Sequence, residues 1–418
     1  MTTGEDTEEI MTAAQPRQSS RRAGVGRGIP RGLRRDGPAL FSYGFRPFFL
    51  GAGIFAPLAM ALWIAALATG LPVGGDYGAV AWHGHEMLFG FGAAVLAGFL
   101  MTAIPNWTGK MPLSGRPLAA LAGLWLAGRV AMLGAGWIGV TAAVAIDALF
   151  LPALLAACAR ELIAGGKWSE LKVLGGVALI TVANIGFHAE VLLTGAPGLA
   201  ARAGVAGYAL LVMIIGGRIV PSFTRNWLAA RGETRLPVPF NRGDGISILL
   251  SLVALALWVF VPEGPVAVAA GLAGLAIVAL RMARWRGAAT WREPLLLVLH
   301  VAFGFVGLGF LAMAAGGAGL MPPAAAMHVM MVGGMAGMML AVMTRATRGH
   351  TGRPLTATVR TTAAYACLFA AALARPAADL LGAPRLLEAA AALFIAAFLL
   401  CLSEYGPMLV RPRAPRAD

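Results

Sequence analysis

The sequence predicts an all-α, polytopic integral membrane protein of about twelve transmembrane helices. Three observations support this fold class. Of the 418 residues, 59% are hydrophobic and only 12% are charged, and the mean hydropathy is +0.76, which is far more apolar than a soluble protein. Apolar runs of about 20 residues recur along the chain, and this length crosses a hydrocarbon core. The runs do not alternate between polar and apolar residues, which favours helices over barrel strands.

The predicted spans follow one another with short connections and form one transmembrane domain over residues 41–411. Residues 1–40 are first acidic and then arginine-rich, and they contain no apolar run. This composition predicts a disordered basic tail and not a cleavable signal peptide. Residues 412–418 are expected to form a second short tail. The twelve spans lie near residues 47–69, 82–104, 117–136, 139–158, 171–193, 199–220, 245–262, 265–281, 294–315, 322–343, 359–381 and 385–410.

The distribution of Lys and Arg predicts the orientation, because these residues are enriched in cytoplasmic loops. With the N-terminus in the cytoplasm, the tails, the cytoplasmic loops and the adjoining helix ends contain all but four of the 33 Lys and Arg residues. The exceptions are Arg129, Arg202, Arg375 and Arg385. We therefore expect both termini in the cytoplasm. Because the basic residues lie in short loops between spans, the net charge of +14 does not indicate a nucleic-acid partner.

Polar residues open the second span, in the stretch AWHGHEMLFGFG at residues 81–92. The predicted orientation places His83 and His85 at its periplasmic end. Successive helical residues are separated by about 100°, so the two imidazoles point about 200° apart and cannot bind one metal ion from a regular helix. Either Gly84 leaves His83 in the preceding loop, or the two histidines serve different sites. Glu86 falls on the face of His83, near enough to the interface to be solvated; the alternative is a supporting role at the histidine site.

The next three spans contribute polar side chains at a similar depth. Arg129 in span 3 and Asp147 in span 4 are separated by a short connection, and we expect them to form an ion pair. An unpaired arginine near the centre of a span costs about 2.5–3.5 kcal/mol. The alternative role for Arg129 is to bind an anionic ligand. In span 5, Asn184 lies one helical turn below His188 on the same face and is predicted to orient it.

The tenth span reads MHVMMVGGMAGMMLAVM over residues 327–343 and places His328, Met331 and Met335 along one stripe. A second stripe consists of small residues that allow close helix packing. Imidazole is a ligand for iron and copper, and thioether sulfur is a soft ligand for Cu(I). The structural alternatives to metal binding are an interhelical hydrogen bond for the histidine and flexible packing for the methionines.

Spans 2, 5 and 10 thus bring histidines to one depth, in the outer third of the membrane. This convergence predicts a metal or haem site that faces the periplasm. His300 lies in the inner half of span 9, and His350 is predicted to lie in a cytoplasmic loop. Both are expected to lie outside the site.

A faint repeat links three segments at the cytoplasmic ends of spans 2, 6 and 10. These are MTAIPNWTGK (101–110), GRIVPSFTRN (217–226) and MTRATRGHTG (343–352). In this alignment Thr102 corresponds to Thr344, and the segments recur about every four spans. The pattern indicates three four-helix units.

Four stretches together resemble the NnrS family over residues 41–410: FSYGFRPFFLGAGIF, WHGHEMLFGFGAAVLAGFLMTAIPNWTG, GGRIVPSFTRN and MHVMMVGGMAGMMLAVMTRATRGHTGRPL. The resemblance implies a bacterial inner-membrane protein of twelve spans that contains haem and copper. It also implies a role in nitric oxide metabolism and resistance to nitrosative stress. The chain has no CxxCH motif, so we expect non-covalent haem b.

The resemblance extends to individual residues. It implies that His83, His85 and His328 are cofactor or metal ligands, because their surrounding motifs match the family well, while His188 lies in a less similar context. Under this interpretation Arg129 would bind a haem propionate.

Secondary transport is the alternative function. Twelve spans, weak internal repeats and helix-breaking Pro and Gly near span ends are typical of secondary carriers. The histidine and methionine residues would then line a substrate or metal-ion site.

Reporter fusions test the predicted orientation. A reporter of cytoplasmic location should be active when it is fused to the C-terminus and inactive when it is inserted at Gly74, since the first connection is expected in the periplasm. A C-terminal fusion that reports a periplasmic location would reverse the orientation.

Overall fold

Residues 37–414 are described by the computed structural model, and twelve helices in this part of the chain are long and apolar enough to cross a membrane. The expected all-α membrane fold is confirmed, and no β-strand occurs among the described residues. The predicted tails fall largely outside this part of the chain, which leaves out residues 1–36 and 415–418. The helices are α1 (Phe45–Thr69), α2 (Ala79–Thr108), α3 (Arg116–Leu133), α4 (Val140–Ala164), α5 (Trp168–Thr194), α6 (Leu199–Ala229), α7 (Arg242–Phe260), α8 (Gly264–Ala283), α9 (Pro294–Gly317), α10 (Pro323–His350), α11 (Val359–Leu380) and α12 (Pro384–Val410).

The start of α1 and the end of α12 meet at one end of the bundle. The guanidinium of Arg46 donates a hydrogen bond to the carbonyl of Leu409 at 2.8 Å. The backbone N–H of Ala414 donates to the carbonyl of Thr351, in the connection after α10. We call this end of the bundle the terminal end, and the opposite end the far end.

The helices α2, α6 and α10 are the longest, with 30, 31 and 28 residues. At the terminal end each continues beyond the predicted apolar span, through the segments that carry the faint repeat. The hydroxyls of Thr102, Thr224 and Thr344 donate to carbonyls of their own helices, so these polar residues are satisfied within helical structure. His350, which the sequence places in a loop, is instead the last residue of α10.

The packing of the helices repeats every four spans. Contacts between α1 and α2 recur between α5 and α6 and between α9 and α10. Those between α4 and α5 recur between α8 and α9, and again between α12 and α1, which closes the ring. The apolar stretches of α2, α6 and α10 are 89%, 72% and 67% buried, so the three equivalent helices lie inside the bundle; α9, which is 72% buried, lies inside it as well. This arrangement supports the three four-helix units that the sequence indicates.

Each of the three equivalent helices contains a π-helical segment, at Glu86–Phe91, Val212–Gly216 and Val329–Ala336. A π turn leaves a carbonyl without its usual i+4 partner, and lipid offers no replacement. Side chains from neighbouring helices provide the missing donors. In α2, the Tyr208 hydroxyl donates to the carbonyl of Leu88 at 2.9 Å, and the indole N–H of Trp125 donates to that of Gly90 at 2.9 Å.

Replacing Tyr208 with Phe tests this compensation. We expect the change to lower the stability of the folded protein by about 1–2 kcal/mol, because the buried carbonyl of Leu88 loses its donor. Thermal unfolding in detergent measures the effect. Thr69→Val is the matched control, since it removes an exposed hydroxyl that also donates to a carbonyl, that of Ala65. Equal melting temperatures for the two variants would contradict the argument.

Candidate metal site at the far end of the bundle

The π-helical segment of α2 begins at Glu86, and the side chains of His85 and Glu86 lie together in one buried space. Both side chains are 0% exposed. The His85 Nδ1 atom lies 2.9 Å from Glu86 Oε1. The expectations that Glu86 is solvated and that it shares a face with His83 are therefore wrong, because the π turn changes the angular spacing of the helix.

Asp147 and His188 complete a group of possible ligands. Asp147 lies where the helical hydrogen bonding of α4 is interrupted, between Val140–Asp147 and Phe150–Ala164. Its Oδ2 atom lies 2.9 Å from His188 Nε2 and 3.2 Å from His85 Nε2. Ligand atoms of these three residues all lie within 4.8 Å of one another, and the group can hold a metal ion.

The remaining ring nitrogens are occupied by hydrogen-bond partners. For His85 the partner of Nδ1 is the Glu86 carboxylate. For His188 it is the Tyr77 hydroxyl, 2.9 Å away. Tyr77 lies in the connection between α1 and α2, outside the spans, and burial raises the pKa of its phenol, so the hydroxyl keeps its proton. Such contacts fix ring orientation and leave both Nε2 atoms directed at Asp147.

Arg129 supplies the positive charge of the site. Its guanidinium pairs with Asp147, which confirms the ion pair expected from the sequence. It also lies 2.5 Å from Glu86 Oε2, a second partner that the sequence does not predict. One guanidinium thus pairs with two carboxylates that are almost completely withdrawn from solvent, and it offsets one of their two negative charges.

Asn184 contacts His85 and Asp147 instead of orienting His188. Its Oδ1 atom lies 2.8 Å from His85 Nε2, and its Nδ2 donates to Asp147 Oδ2 at 3.2 Å. The expected contact with His188 is wrong because the Asn184 side chain extends from α5 toward α2 and α4, where its two partners lie.

Three residues of the site have no distinctive signal in the sequence: Tyr77, Gly90 and Gly128. A Cβ atom on Gly90 would lie 2.6 Å from Arg129 Nη1, and one on Gly128 would lie 2.9 Å from Asp147 Oδ1. These glycines allow the charged groups to approach the helix backbones. Among 55 glycines in the chain, neither stands out.

His83 and His328 lie together in a different place. Both line a cavity of about 40 Å³ at the far end, with Arg375 in its wall. The ring of His83 stacks on Trp63 with a centroid distance of 4.6 Å. Gly84 is helical, so His83 does not lie in the preceding loop, and its ring lies in a different place from that of His85. His328 does not join His85, although the two lie at the same end.

Met331 and Met335 do not line the cavity that contains His328; Val332 does. The predicted stripe assumes a regular α-helix, whereas residues Val329–Ala336 are π-helical. Val332, four residues after His328, keeps its place on the face of His328, and the wider turn moves Met331 away from that face. Met335 is buried in the apolar core, and Met331 packs against the core.

Comparisons with known proteins identify one family. The sequence model described as NnrS protein matches residues 39–413, nearly the whole chain. No curated protein and no solved structure matches the sequence.

Replacing Arg129 tests the charge balance of the site. Arg129→Gln leaves two buried carboxylates without a cation, and we expect a loss of about 3–5 kcal/mol of stability. Adding Asp147→Asn should recover part of that loss, since it removes one of the two negative charges. The yield of monodisperse protein and its melting temperature in detergent measure both effects.

Arg160→Gln serves as the control, because Arg160 pairs with Glu161 while 65% of its side chain is exposed. This change should cost less than about 1 kcal/mol. If the double variant is no more stable than Arg129→Gln alone, charge balance does not explain these contacts.

Proposed function

The chain belongs to the NnrS family, and from this premise we propose that it binds copper and haem in the bacterial inner membrane and acts in nitric oxide metabolism or resistance to nitrosative stress. We propose that the terminal end faces the cytoplasm and that the far end faces the periplasm. Residues 41–411 would form a single domain, with cytoplasmic tails at residues 1–40 and 412–418. The observation that carries the proposal is the buried group of His85, Asp147 and His188.

This group fits a small metal ion. Two imidazole nitrogens and one carboxylate oxygen are suitable ligands for copper, zinc or iron, and copper binds most tightly among the divalent ions of this series. Glu86 and Tyr77 hold the outer nitrogens, which is the arrangement that commonly fixes ligating histidines. A bound copper ion would supply a one-electron redox centre next to the lipid, where nitric oxide concentrates because it is small and apolar.

The residues around the ligands have separate tasks. Arg129 offsets one of the two negative charges of Glu86 and Asp147, and an added cation meets the one that remains. Asn184 holds His85 and Asp147 at a fixed separation. Because His85 and Glu86 are fully buried, bulk water is kept from the ligands. Any proton shared between the Nε2 atoms and Asp147 must leave when a metal ion binds.

The same group does not fit a haem. The rings of His85 and His188 have their centroids 4.4 Å apart, which leaves no room for a porphyrin between them. Their outer nitrogens are occupied by Glu86 and Tyr77. The haem of the proposed function would therefore bind in another part of the molecule.

We keep His83 and His328 as proposed ligands of a second, separate ion, and propose no ligand role for Met331 or Met335. The buried Nδ1 atom of His83 has no hydrogen-bond partner among the described residues, and the cavity of about 40 Å³ that it shares with His328 admits an ion but no larger group.

Copper content tests the first site. His188→Ala and Asp147→Asn should each reduce bound copper by about one equivalent, measured by mass spectrometry on protein purified from copper-supplied cells. His300→Ala is the control, since His300 lies near the terminal end and contacts Thr224. Copper affinity at the wild-type site should rise with pH, because binding displaces a proton.

The comparison with His328→Ala separates the two proposed sites. Loss of copper in His328→Ala but not in His188→Ala would refute the first site. Wild-type protein that contains no metal and exchanges a substrate across vesicle membranes would favour the transporter alternative.

A further inference from the structure

A cavity of about 330 Å³ lies at the terminal end, between the inner helices α2, α6 and α10. Its volume falls within the range typical of small-molecule sites. Leu355, in the connection after α10, forms part of the wall and is exposed, so the cavity reaches the surface of the bundle. His85 lies at the opposite end of α2, and neither the proposed copper site nor the ion pair of Arg129 accounts for this cavity.

A smaller cavity of about 70 Å³ lies beside the first, toward the middle of the bundle. The walls of both cavities include Phe99, Ile219 and Val342. Among the described residues of the smaller wall, Tyr208 alone has a polar side chain, and its hydroxyl donates to the carbonyl of Leu88. The smaller cavity therefore suits an apolar chain.

The larger cavity has polar groups on α2 and α10. Ala103, Ile219 and Arg345 occupy equivalent positions of the three repeated segments, and all three lie in the wall, so the cation is on the side of α10. On α2, the Thr102 hydroxyl lines the cavity and donates to the carbonyl of Gly98. Its oxygen keeps a lone pair that can accept a hydrogen bond. A polar head group thus meets both a donor and an acceptor.

The charge of Arg345 is opposed by Glu293, the residue before α9, and the two interact electrostatically. An anionic ligand would meet both members of this couple and would gain less than from an unopposed cation. A neutral oxygen can still accept a hydrogen bond, because a guanidinium has several N–H donors. The cavity therefore favours an uncharged head group.

Aromatic side chains form much of the wall around this polar edge. Phe49, Phe99 and Phe223 come from α1, α2 and α6, and the Arg345 guanidinium lies 4.4 Å from the ring centroid of Phe223. The ring of His350, which packs against Phe45, adds to the same wall. Aromatic surfaces of this kind pack well against a planar ring.

We propose that the two cavities bind a lipid-soluble quinone, with its ring beside Arg345 and its isoprenoid chain in the smaller cavity. The quinone carbonyl accepts a hydrogen bond from Arg345, and a hydroxyl of the reduced quinol donates to Thr102. A fatty acid would add a negative charge where Glu293 already opposes the cation. The inference does not rest on copper or haem, since these residues are separate from the histidines of the far end.

Calorimetric titrations of the purified protein in detergent test the proposal. The probes are decylubiquinone, the same benzoquinone ring without the decyl chain, and palmitate. Ala103→Phe fills the larger cavity without removing a polar group, and it should weaken binding of both quinones by about tenfold. Ala279→Phe, at an exposed position of α8 outside both cavities, is the matched control and should change neither affinity.

Gly216→Leu tests the position of the chain. A Cβ atom on Gly216, which lines the smaller cavity, would lie 3.4 Å from Met338 Cε, an ordinary contact that allows a larger side chain. This variant should lower the affinity for decylubiquinone to that for the bare ring. Its affinity for the bare ring should equal that of the wild type, which also shows that the variant is folded.

Glu293→Gln tests the choice of a neutral head group. With Arg345 unopposed, palmitate should bind about fivefold more tightly than to the wild type, while the quinones should keep their affinity. Adding Arg345→Leu removes the donor and keeps the couple uncharged, and it should weaken both quinones by about fivefold relative to Glu293→Gln.

The proposal is wrong if wild-type protein shows no saturable quinone binding, or if Ala103→Phe leaves that binding unchanged. Palmitate that binds the wild type more tightly than decylubiquinone, and loses affinity in Ala103→Phe, would identify a site for anions instead. Variants are compared only when their gel-filtration profiles are monodisperse. The copper content of the same samples reports on the far end separately.

Discussion

The pairing of Arg129 with both Glu86 and Asp147 is the interaction on which the far end of the bundle depends. Two carboxylates withdrawn from water without a cation would be strongly unfavourable, and they would destabilise the packing of α2, α3 and α4. With Arg129 between them, the same groups connect three helices. The charge balance also sets the chemistry of the site, since it allows His85 and His188 to share Asp147 without a large excess of negative charge.

The π-helical segments are the second constraint. Each interrupts an inner helix, and each changes which residues share a face. In α2 this brings Glu86 to His85, and in α10 it separates His328 from Met331 and Met335. In α2 and α6, side chains of neighbouring helices donate to backbone carbonyls of the π segment: Tyr208 and Trp125 do so for α2, and Arg281 does so for Met213 in α6. The π segments thus join the metal site to the packing of the bundle.

The two ends of the inner helices differ in the kind of ligand they suit. At the far end the polar groups are bonded to one another and the space between His85 and His188 fits an ion. At the terminal end a cavity of about 330 Å³ lies between α2, α6 and α10. The far end is therefore suited to a small ion, whereas the terminal end has room for a larger ligand.

The sequence by itself determined the twelve helices, because apolar length and the absence of alternation leave lipid-spanning helices as the physical solution. It also determined the pairing of Arg129 with Asp147, since two opposite charges at one depth on consecutive helices have few other partners. Only the tertiary structure decided which histidines meet, because π turns alter the angular spacing that a regular helix predicts. Tyr77, Gly90 and Gly128 likewise acquire their significance from neighbours distant in sequence, and no local pattern encodes those contacts.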